Sequence, residues 1–379
     1  MRAADVIVVG AGIVGAACAH ALVRAGLRVQ VLDAHLGGAT AAGMGHLVTM
    51  DDNAAELALS RASLRQWQAW AAHMPADCAF TRCGTLWLAA DEAERAAAHE
   101  KQARLAANGV ASDWLDAAAL ARAEPALRTG LAGALRVPGD SVVYAPNATR
   151  WLLAEARLAV EPVRVARVEG ARVQLHDGAR REAGAVVLAA GMASLALCPG
   201  LPLRAKKGQL VITDRYPGTV QHQLVELGYV ASAHADPAAG DGTSVAFNVQ
   251  PRPTGQLLIG SSRQFDDNDP AVDPALLARM LRRALGYLPG LAQCNAVRSW
   301  TGFRAATPDS LPLIGPHPAQ AGLWLATGHE GLGVTTAPAT AQLLAAQLTG
   351  GALPLDATPY LPRRFVATPL TAATTTATA

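Results

Sequence analysis

The stretch Gly10-Ala11-Gly12-Ile13-Val14-Gly15 decides the fold of this chain. It joins an apolar run, Val6 to Val9, to a helical pattern from Ile13 to Ala25. In such a G-x-G-x-x-G turn, the first glycine allows the tight turn, the second lets the backbone approach a pyrophosphate, and the third lets helix and strand pack closely. The next apolar run, Leu27 to Leu32, leads to Asp33, which can accept a hydrogen bond from a ribose hydroxyl. The start of the chain therefore predicts a βαβ unit that binds a dinucleotide at the helix N-terminus.

The composition is typical of a globular protein of two to three domains. The chain has 379 residues, 51% hydrophobic and 16% charged, with a formal net charge of +2. This balance, without a basic stripe, gives no field that would attract nucleic acid or a membrane surface. The run Val6 to Val23 is apolar enough to resemble a signal peptide or a short membrane span, but its glycines and His20 favour a buried βα unit. We expect a cytoplasmic protein without a transmembrane segment and without a nucleic-acid partner.

Four further motifs carry a resemblance to a known family. They are the small-residue loop Thr40 to Gly45, the strand end Val187 to Gly191, the segment Trp300 to Gly315 and the stretch Gly328 to Pro338. Together with the opening turn, they follow the order of the D-amino acid oxidase/glycine oxidase family of FAD-dependent oxidoreductases, which this chain resembles over nearly its whole length. The resemblance implies that the cofactor is FAD.

The strand pattern and the resemblance predict an α/β fold, in which a Rossmann-like FAD-binding domain is interleaved with a substrate domain built on a mainly antiparallel β-sheet. The FAD-binding domain is expected at residues 1–77, 140–200 and 305–365, and the substrate domain at 78–139 and 201–304. The segment 366–379, rich in Thr and Ala, is expected to be a disordered tail.

Local signals predict where several helices begin. Asp91, followed by Glu94 three residues later, forms a capping-box pattern. Asn147 is expected to cap a helix from Ala148 to Leu158. Near the C-terminus, a helix is expected to begin near Thr335.

The residues expected to bind FAD come from the opening turn and from the family motifs. They are Gly10, Gly12, Ile13, Val14, Gly15, Asp33, Ala34, Thr40, Ala41, Gly43, Met44, Gly45, Val165, Ala190, Gly191, His329, Gly331, Leu332, Gly333, Val334 and Thr335. Gly331 and Gly333 would bring backbone N–H groups against the isoalloxazine ring, and the following helix would direct its positive end at the flavin. The alternative is that these glycines only form a turn.

The five cysteines show no metal-binding spacing. Only Cys78 and Cys83 lie close together, and no second pair completes a zinc or iron–sulfur pattern. We therefore expect free thiols in a reducing compartment and no metal site. A covalent bond between a cysteine and the flavin is the alternative.

Arg304 is expected to bind the substrate. It ends the predicted strand that contains Trp300, just before the chain leaves the sheet. The resemblance implies that this arginine holds the substrate carboxylate, a role that suits a guanidinium because its planar fork makes two parallel charge-assisted hydrogen bonds. The grip would position the substrate Cα for hydride transfer to flavin N5. The alternative is a structural ion pair.

Glu330, His46 and Asn248 are further candidates for the chemistry. Glu330 stands beside the place where members similar to glycine oxidase often carry a second cation. It either lies near the substrate nitrogen, where it stabilises an ammonium or helps to remove its proton, or is a solvated loop acid. His46 either faces the flavin or is a hydrogen-bonded structural residue. Asn248 occupies the place where relatives often put a tyrosine over the substrate, which predicts a more polar roof. Lys207 is expected near the domain crossing, either in an ordinary role or in oxygen activation.

The most specific segments resemble the flavoprotein subunit of bacterial D-hydroxyproline dehydrogenases. They are Thr40 to Val48 with Met50 to Asp52, Phe247 to Gly255, and Gly328 to Val334. The resemblance implies oxidation of a D-amino or D-imino acid, cis-4-hydroxy-D-proline first, with electrons passing to partner subunits of a hetero-oligomeric dehydrogenase or to a carrier. Three alternatives stay open: an oxidase of glycine, sarcosine or D-amino acids that uses O2, a flavin-bearing electron-relay subunit of a larger complex, and a plain NAD dehydrogenase.

Overall fold

The computed structural model describes residues 4–228 and 243–365, and the predicted tail 366–379 lies outside the described residues. The strands are β1 (Val6–Val9), β2 (Val29–Asp33), β3 (His46–Leu47), β4 (Thr85–Ala89), β5 (Asp113–Asp116), β6 (Gly133–Val137), β7 (Ser141–Val142), β8 (Val160–Pro162), β9 (Val165–Glu169), β10 (Arg172–Leu175), β11 (Arg180–Glu182), β12 (Ala185–Leu188), β13 (Arg204–Arg215), β14 (Gln223–Glu226), β15 (Thr243–Pro251), β16 (Gln256–Phe265), β17 (Ala296–Ala306), β18 (Leu313–Pro316) and β19 (Leu323–Thr327). The α-helices are α1 (Ile13–Arg24), α2 (Ala39–Ala42), α3 (Ala54–Ala71), α4 (Glu92–Ala107), α5 (Ala117–Ala123), α6 (Ala145–Glu155), α7 (Ser194–Leu197), α8 (Pro274–Tyr287) and α9 (Gly333–Thr349).

A six-stranded sheet contains the predicted βαβ unit. Its order is β18-β19-β12-β1-β2-β8, and every neighbouring pair is parallel except β18 with β19. All residues of β1 and β12 are buried, because both faces of the parallel sheet are covered. This burial explains why these strands are continuous apolar runs in the sequence. Since β1 and β2 are parallel, the glycine turn and Asp33 lie at the same edge of the sheet.

Apolar layers cover both faces of this sheet. On one face, α1, α3, α6 and α9 share a buried cluster that includes Val8, Leu22 and Leu344. On the other face, the three-stranded sheet β11-β10-β9 contributes Val168 and Val173 to a second cluster. These layers fix the position of α1 and α9, whose N-terminal ends both begin at glycine-containing loops.

An eight-stranded sheet forms the second part of the molecule. Its order is β17-β13-β16-β15-β14-β4-β6-β5, and only β14 with β4 is parallel. Helix α8 packs on β15 and β16 through Met280, Ala284 and Tyr287. The predicted α/β class, with a Rossmann-like parallel sheet and a mainly antiparallel second sheet, is confirmed. Strands of the two sheets alternate along the chain.

The helix that was expected from Ala148 to Leu158 begins three residues earlier, so this prediction is wrong at both ends. Helix α6 has Tyr144 at its N-cap and Pro146 in its first turn. Proline suits the first turn, because its φ is preset and its missing N–H has no helical partner there. The side chain of Asn147, which was expected to cap, instead donates a hydrogen bond to the Asp77 carbonyl oxygen at 2.8 Å.

Two other predicted helix starts agree better with the structure. Asp91 accepts a hydrogen bond from the Glu94 N–H at 2.9 Å, and the Glu94 carboxylate accepts one from the Ala90 N–H at 2.7 Å. The first of these bonds is that of a capping box, whereas the return bond of Glu94 goes to the residue before the N-cap Asp91 and not to the N-cap itself. Helix α9 begins at Gly333, two residues before the expected start at Thr335.

The described part of the chain contains no helix that is both long and apolar enough to cross a membrane. All five cysteines are free. Within residues 4–228 and 243–365, no group of three or more His, Cys, Asp or Glu side chains could hold a metal ion.

Candidate functional site

The glycine turn has the close packing that dinucleotide binding requires. Gly10 has a φ of 104°, and a Cβ atom there would lie 2.5 Å from the Ala189 carbonyl oxygen. A Cβ on Gly15 would overlap the Gly10 carbonyl oxygen. Side chains at these two positions would therefore push α1 away from the edge of the sheet. The narrow turn and a first helical turn without acidic residues fit the phosphates of FAD.

Asp33 and Thr40 complete this end of the site. The Asp33 carboxylate accepts hydrogen bonds from the N–H groups of Ala11 and His35, both at 2.6 Å. Asp33 thus ties the end of β2 to the glycine turn. Thr40 Oγ1 accepts a hydrogen bond from the Ile13 N–H at 3.0 Å, so α2 lies against the first turn of α1.

The other candidates before β13 lie around this edge. Five of them lie within α2 or on either side of it, namely Ala34, Ala41, Gly43, Met44 and Gly45. Ala190 and Gly191 follow β12, beside the glycine turn. The side chain of Val165 is buried in the apolar cluster under the sheet, so only its backbone is available to a cofactor.

The loop before α9 connects the two sheets. His329 forms a bridge with Ala306 at the end of β17, and the Glu330 N–H donates to the Ala305 carbonyl oxygen at 2.9 Å. At the start of α9, Thr335 Oγ1 donates to the His46 carbonyl oxygen at 2.8 Å. The N-terminus of α9 therefore lies next to β3, where its positive end can face a bound flavin. Burial lowers the pKa of His329 to about 3, so this imidazole is neutral.

A cavity between the two sheets brings several predicted residues together. His46, Asn248, Glu330, Gly331 and Leu332 line it. It is also lined by residues that were not among the predicted site residues, namely Val48, Met50, Asp52, Glu56, Trp87, Lys206, Val225, Arg263 and Ser310.

Arg304 lies at the border of this cavity. Its Nη1 donates to the Ser262 carbonyl oxygen at 3.3 Å, and its side chain lies 3.7 Å from the place where a Cβ on Gly331 would be. The guanidinium lies over Gly208, where a Cβ would be 2.7 Å from both Nη atoms. The glycine on β13 thus leaves the space that the Arg304 fork occupies.

Lys206 and Glu330 form an ion pair at the cavity wall, with Nζ and Oε1 2.8 Å apart. Burial by itself would raise the pKa of Glu330, but the cations of Lys206, Arg304 and Arg263 lower it to about 2. Glu330 is therefore a carboxylate whose side chain is only 17% exposed. This is not the position of a solvated loop acid.

The neighbouring Lys207 has a different environment. It is buried, and its Nζ is 2.9 Å from the Asp267 carboxylate. Since successive side chains of a strand point to opposite faces, only Lys206 lines the cavity. The cation that the His329 loop lacks therefore comes from β13, one residue before the lysine that the sequence singled out.

Glu56 is the main residue that sequence reasoning missed. It lies in the first turn of α3, where its N–H donates to the capping side chain of Asn53 at 2.8 Å. Burial, with smaller contributions from Asp52 and Glu330, raises the pKa of Glu56 to about 8. Its carboxyl is therefore mainly protonated at neutral pH. The cap pattern Asn53-x-x-Glu56 was the available signal, but it indicates a helix start and not a cavity.

His46 and Asn248 contact each other in the cavity. The Nδ2 of Asn248 lies 3.1 Å from the Nε2 of His46, whose Nδ1 is hydrogen-bonded to Gln223. Burial lowers the pKa of His46 to about 4, and its contacts with Gln223 and Asn248 only partly oppose this effect. His46 is therefore a neutral, hydrogen-bonded side chain at the cavity wall.

Comparisons with known proteins agree with this fold and show the family. A family model described as DAO, FAD dependent oxidoreductase, matches residues 5–347. Hydrogen cyanide synthase subunit HcnC of Pseudomonas aeruginosa is 27% identical over 421 residues, which cover 96% of this chain and 97% of that protein. The crystal structure of glycine oxidase from Geobacillus kaustophilus superposes with a TM-score of 0.84 at 26% identity, covering 97% of this chain and 100% of that one. L-proline dehydrogenase from P. horikoshii shares the fold, with a TM-score of 0.85 at 22% identity over 96% of this chain and 98% of that one.

Proposed function

Because the chain belongs to the DAO family of FAD-dependent oxidoreductases, and is thus an FAD-dependent enzyme that acts on CH–NH bonds, we propose that its substrate is a D-amino or D-imino acid, with cis-4-hydroxy-D-proline first. The product would be the imine. The segments that resemble the flavoprotein subunit of D-hydroxyproline dehydrogenases support this substrate. The mixed polar and charged lining of the cavity is compatible with a small zwitterion that carries a hydroxyl.

The position of Arg304 carries the proposal. Its guanidinium lies at the cavity border over Gly208, with the Lys206–Glu330 pair on the same wall. A substrate carboxylate placed there would receive two parallel charge-assisted hydrogen bonds. Lys206 would add attraction, and the Glu330 carboxylate would attract the substrate nitrogen. A zwitterionic amino acid is thereby oriented at both of its charged ends.

The nitrogen must lose a proton before the Cα–H bond breaks. Three carboxyl groups line the cavity, those of Asp52, Glu56 and Glu330, and we consider Glu56 and Glu330 because both are largely buried. Glu330, with a pKa near 2, is suited to stabilise an ammonium but is a weak base. Glu56, with a pKa of about 8, is mainly protonated at neutral pH, but its deprotonated fraction grows as the pH rises toward 8 and is a stronger base than Glu330, because a base works best when its pKa is close to the working pH. We assign proton acceptance to Glu56 and electrostatic orientation to Glu330.

FAD, when bound, supplies the acceptor for the hydride that leaves Cα. The narrow turn at Gly10 and Gly15 would hold its pyrophosphate, and Asp33 would bind its ribose. The backbone from Gly331 to Thr335 would lie against the ring system. These residues fit the cofactor because the turn has no room for a Cβ and the N-terminus of α9 lies beside the cavity.

The electron acceptor can be a partner subunit or O2, and each has some support. HcnC, by its name, is one subunit of hydrogen cyanide synthase, which supports a hetero-oligomeric dehydrogenase. The similarity to glycine oxidase supports the second candidate, an oxidase of glycine, sarcosine or D-amino acids. The dehydrogenase is our first proposal because of its more specific sequence segments.

The test is an anaerobic absorbance titration of the flavin-containing protein. Cis-4-hydroxy-D-proline, D-proline, D-alanine, sarcosine and glycine are added in parallel, and bleaching of the visible flavin band is recorded. We expect bleaching with the cyclic D-imino acids. Bleaching with glycine or sarcosine alone would favour the oxidase, and no bleaching with any of them would contradict the proposal for the isolated chain.

A further inference from the structure

Among the described residues, and apart from the Lys206–Glu330 ion pair, a buried donor and a buried acceptor at the substrate cavity have no hydrogen-bond partner. One is the Nε1–H donor of Trp87 and the other is the Oδ1 acceptor of Asn248. The two residues are only 2% and 6% exposed, and both line the cavity. Buried polar atoms are rarely left unpaired, because each unmet hydrogen bond costs free energy. A donor and an acceptor in one cavity together match a hydroxyl group, which accepts and donates at the same oxygen.

The register of the eight-stranded sheet places these two residues in one row. Trp87 on β4 pairs with Val225 on β14, and Val225 pairs with Asn248 on β15. Directly paired residues stand on the same face of a sheet, so all three side chains stand on the cavity side. Two strand spacings, roughly 10 Å, separate the Cα atoms of Trp87 and Asn248. Val225 forms an apolar floor between the indole and the amide.

A chain of hydrogen bonds orients the Asn248 amide. The Ser141 carbonyl oxygen can only accept, so Gln223 turns its Nε2 toward it, at 3.0 Å, and its Oε1 toward His46 Nδ1. His46 Nδ1 therefore carries the proton, and His46 Nε2 accepts from Asn248 Nδ2 at 3.1 Å. Gln250 Nε2 lies 3.4 Å from the same Nδ1, but the shorter contact with Gln223 decides where the proton is. The chain leaves Asn248 Oδ1 as the atom that is available to a ligand.

The distance to Arg304 suits a small cyclic amino acid. Arg304 Nη1 is bonded to Ser262 on β16, while Asn248 on β15 pairs with Gly260, two residues along β16 from Ser262. One strand spacing across the sheet and two residues along it separate the Cα atoms of Asn248 and Ser262 by roughly 8 Å, and Arg304 Nη1 lies at the Ser262 carbonyl oxygen. A five-membered ring with a carboxylate on one side and a hydroxyl on the other, each hydrogen-bonded to the protein, spans a similar length.

We infer that Trp87 and Asn248 form a subsite that recognises the ring hydroxyl of the substrate, with Trp87 donating to its oxygen and Asn248 accepting its proton. The inference rests on the proposed function and deepens it, because it makes a hydroxylated cyclic imino acid the preferred substrate class. In this subsite Gln223 and His46 are positioning residues. They fix which atom of the Asn248 amide meets the substrate.

The test compares cis-4-hydroxy-D-proline with D-proline, which differ only in the hydroxyl. Stopped-flow reduction of the flavin gives a reduction rate constant and a dissociation constant for each substrate. The hydroxyl preference is the rate constant divided by the dissociation constant for cis-4-hydroxy-D-proline, relative to the same quotient for D-proline. Trp87→Phe removes the donor and keeps an aromatic ring, Asn248→Leu removes the acceptor at similar volume, and Gln223→Leu removes the orienting bond. Trp151→Phe, on α6 in the other half of the molecule, is the matched control.

We expect the hydroxyl preference to fall roughly tenfold or more in Trp87→Phe and Asn248→Leu, and less in Gln223→Leu, because each removes or misdirects one hydrogen bond to the substrate. Trp151→Phe should keep the wild-type preference. Visible flavin absorbance in every variant shows that the fold and the cofactor are retained. An unchanged hydroxyl preference in both Trp87→Phe and Asn248→Leu, including the case in which both substrates lose equally, would overturn the subsite while the proposed function stands. A wild-type flavin that neither substrate reduces would overturn both.

Discussion

Replacement of Arg304 should remove most of the hydrogen bonding to the substrate carboxylate. Hydrogen bonds to charged groups contribute about 1.5–3 kcal/mol each, and a bidentate arginine makes two. Lys206 and Arg263 line the same cavity and keep part of the attraction when Arg304 is shortened. We therefore expect Arg304→Ala to lose at least about 2 kcal/mol of transition-state stabilisation, which is about a 30-fold lower kcat/KM.

A companion variant separates the geometry of the fork from its charge. A Cβ on Gly208 would lie 2.7 Å from both Nη atoms of Arg304 and 2.9 Å from the Ser262 carbonyl oxygen, so Gly208→Ala displaces the guanidinium and the carbonyl that it contacts but keeps the charge. We expect a smaller loss than for Arg304→Ala, about tenfold, because one of the two parallel hydrogen bonds is lost. Arg304→Lys should behave similarly, since an ammonium is a point charge that cannot make the bidentate contact.

The assay is steady-state kinetics with the substrate that bleaches the wild-type flavin most efficiently, together with its anaerobic dissociation constant. Retained visible flavin absorbance shows that each variant still binds FAD. If kcat/KM of Arg304→Ala stayed within about threefold of wild type, a difference below about 1 kcal/mol, Arg304 would not be the carboxylate clamp.

Two further predictions concern Glu56 and the glycine turn. Burial raises the pKa of Glu56 from 4.5 to about 8, so its contribution to stability is complete below pH 4.5 and is lost as the pH rises to about 8. Between pH 4.5 and pH 8, the unfolding free energy measured by chemical denaturation should therefore fall less for Glu56→Gln than for wild type. In the pH profile of kcat/KM, the rise toward pH 8 should be absent from this variant. A Cβ on Gly15 would overlap the Gly10 carbonyl oxygen, whereas one on Gly286 meets nothing within 4 Å. Gly15→Ala should thus be purified without visible flavin absorbance and Gly286→Ala with it; a yellow Gly15→Ala protein would contradict the role of the turn.

Local sequence signals predicted the βαβ unit at the start of the chain well. The glycine turn, its flanking strands and Asp33 lie within one short βαβ unit, so their spacing in the chain fixes their arrangement in space. The start of the helix before Leu158 was misplaced because two neighbouring residues, Pro146 and Asn147, each indicate a helix start. The structure follows Pro146, which lies in the first turn, whereas the Asn147 side chain bonds to the Asp77 carbonyl oxygen.

The substrate end depends on contacts between distant segments, which sequence alone does not give. Lys206 and Lys207 are indistinguishable until the register of β13 decides which one faces the cavity. Glu56 and Trp87 look like ordinary helix and strand residues, and reach the cavity only because α3 and β4 pack beside it. Their environment, and hence the pKa of Glu56, arises from tertiary packing.

The row formed by Trp87, Val225, Asn248 and Gly260 crosses four strands, and its alignment depends only on backbone pairing. A one-residue slip of any of these strands would turn its side chain to the opposite face of the sheet. If the row is the hydroxyl subsite that we infer, an insertion or deletion within β14 or β15 would lower the hydroxyl preference without replacing Arg304, Glu330 or Glu56. Exchanging such strands as whole units, in register, is therefore a more promising route to new substrate ranges than single replacements in the row.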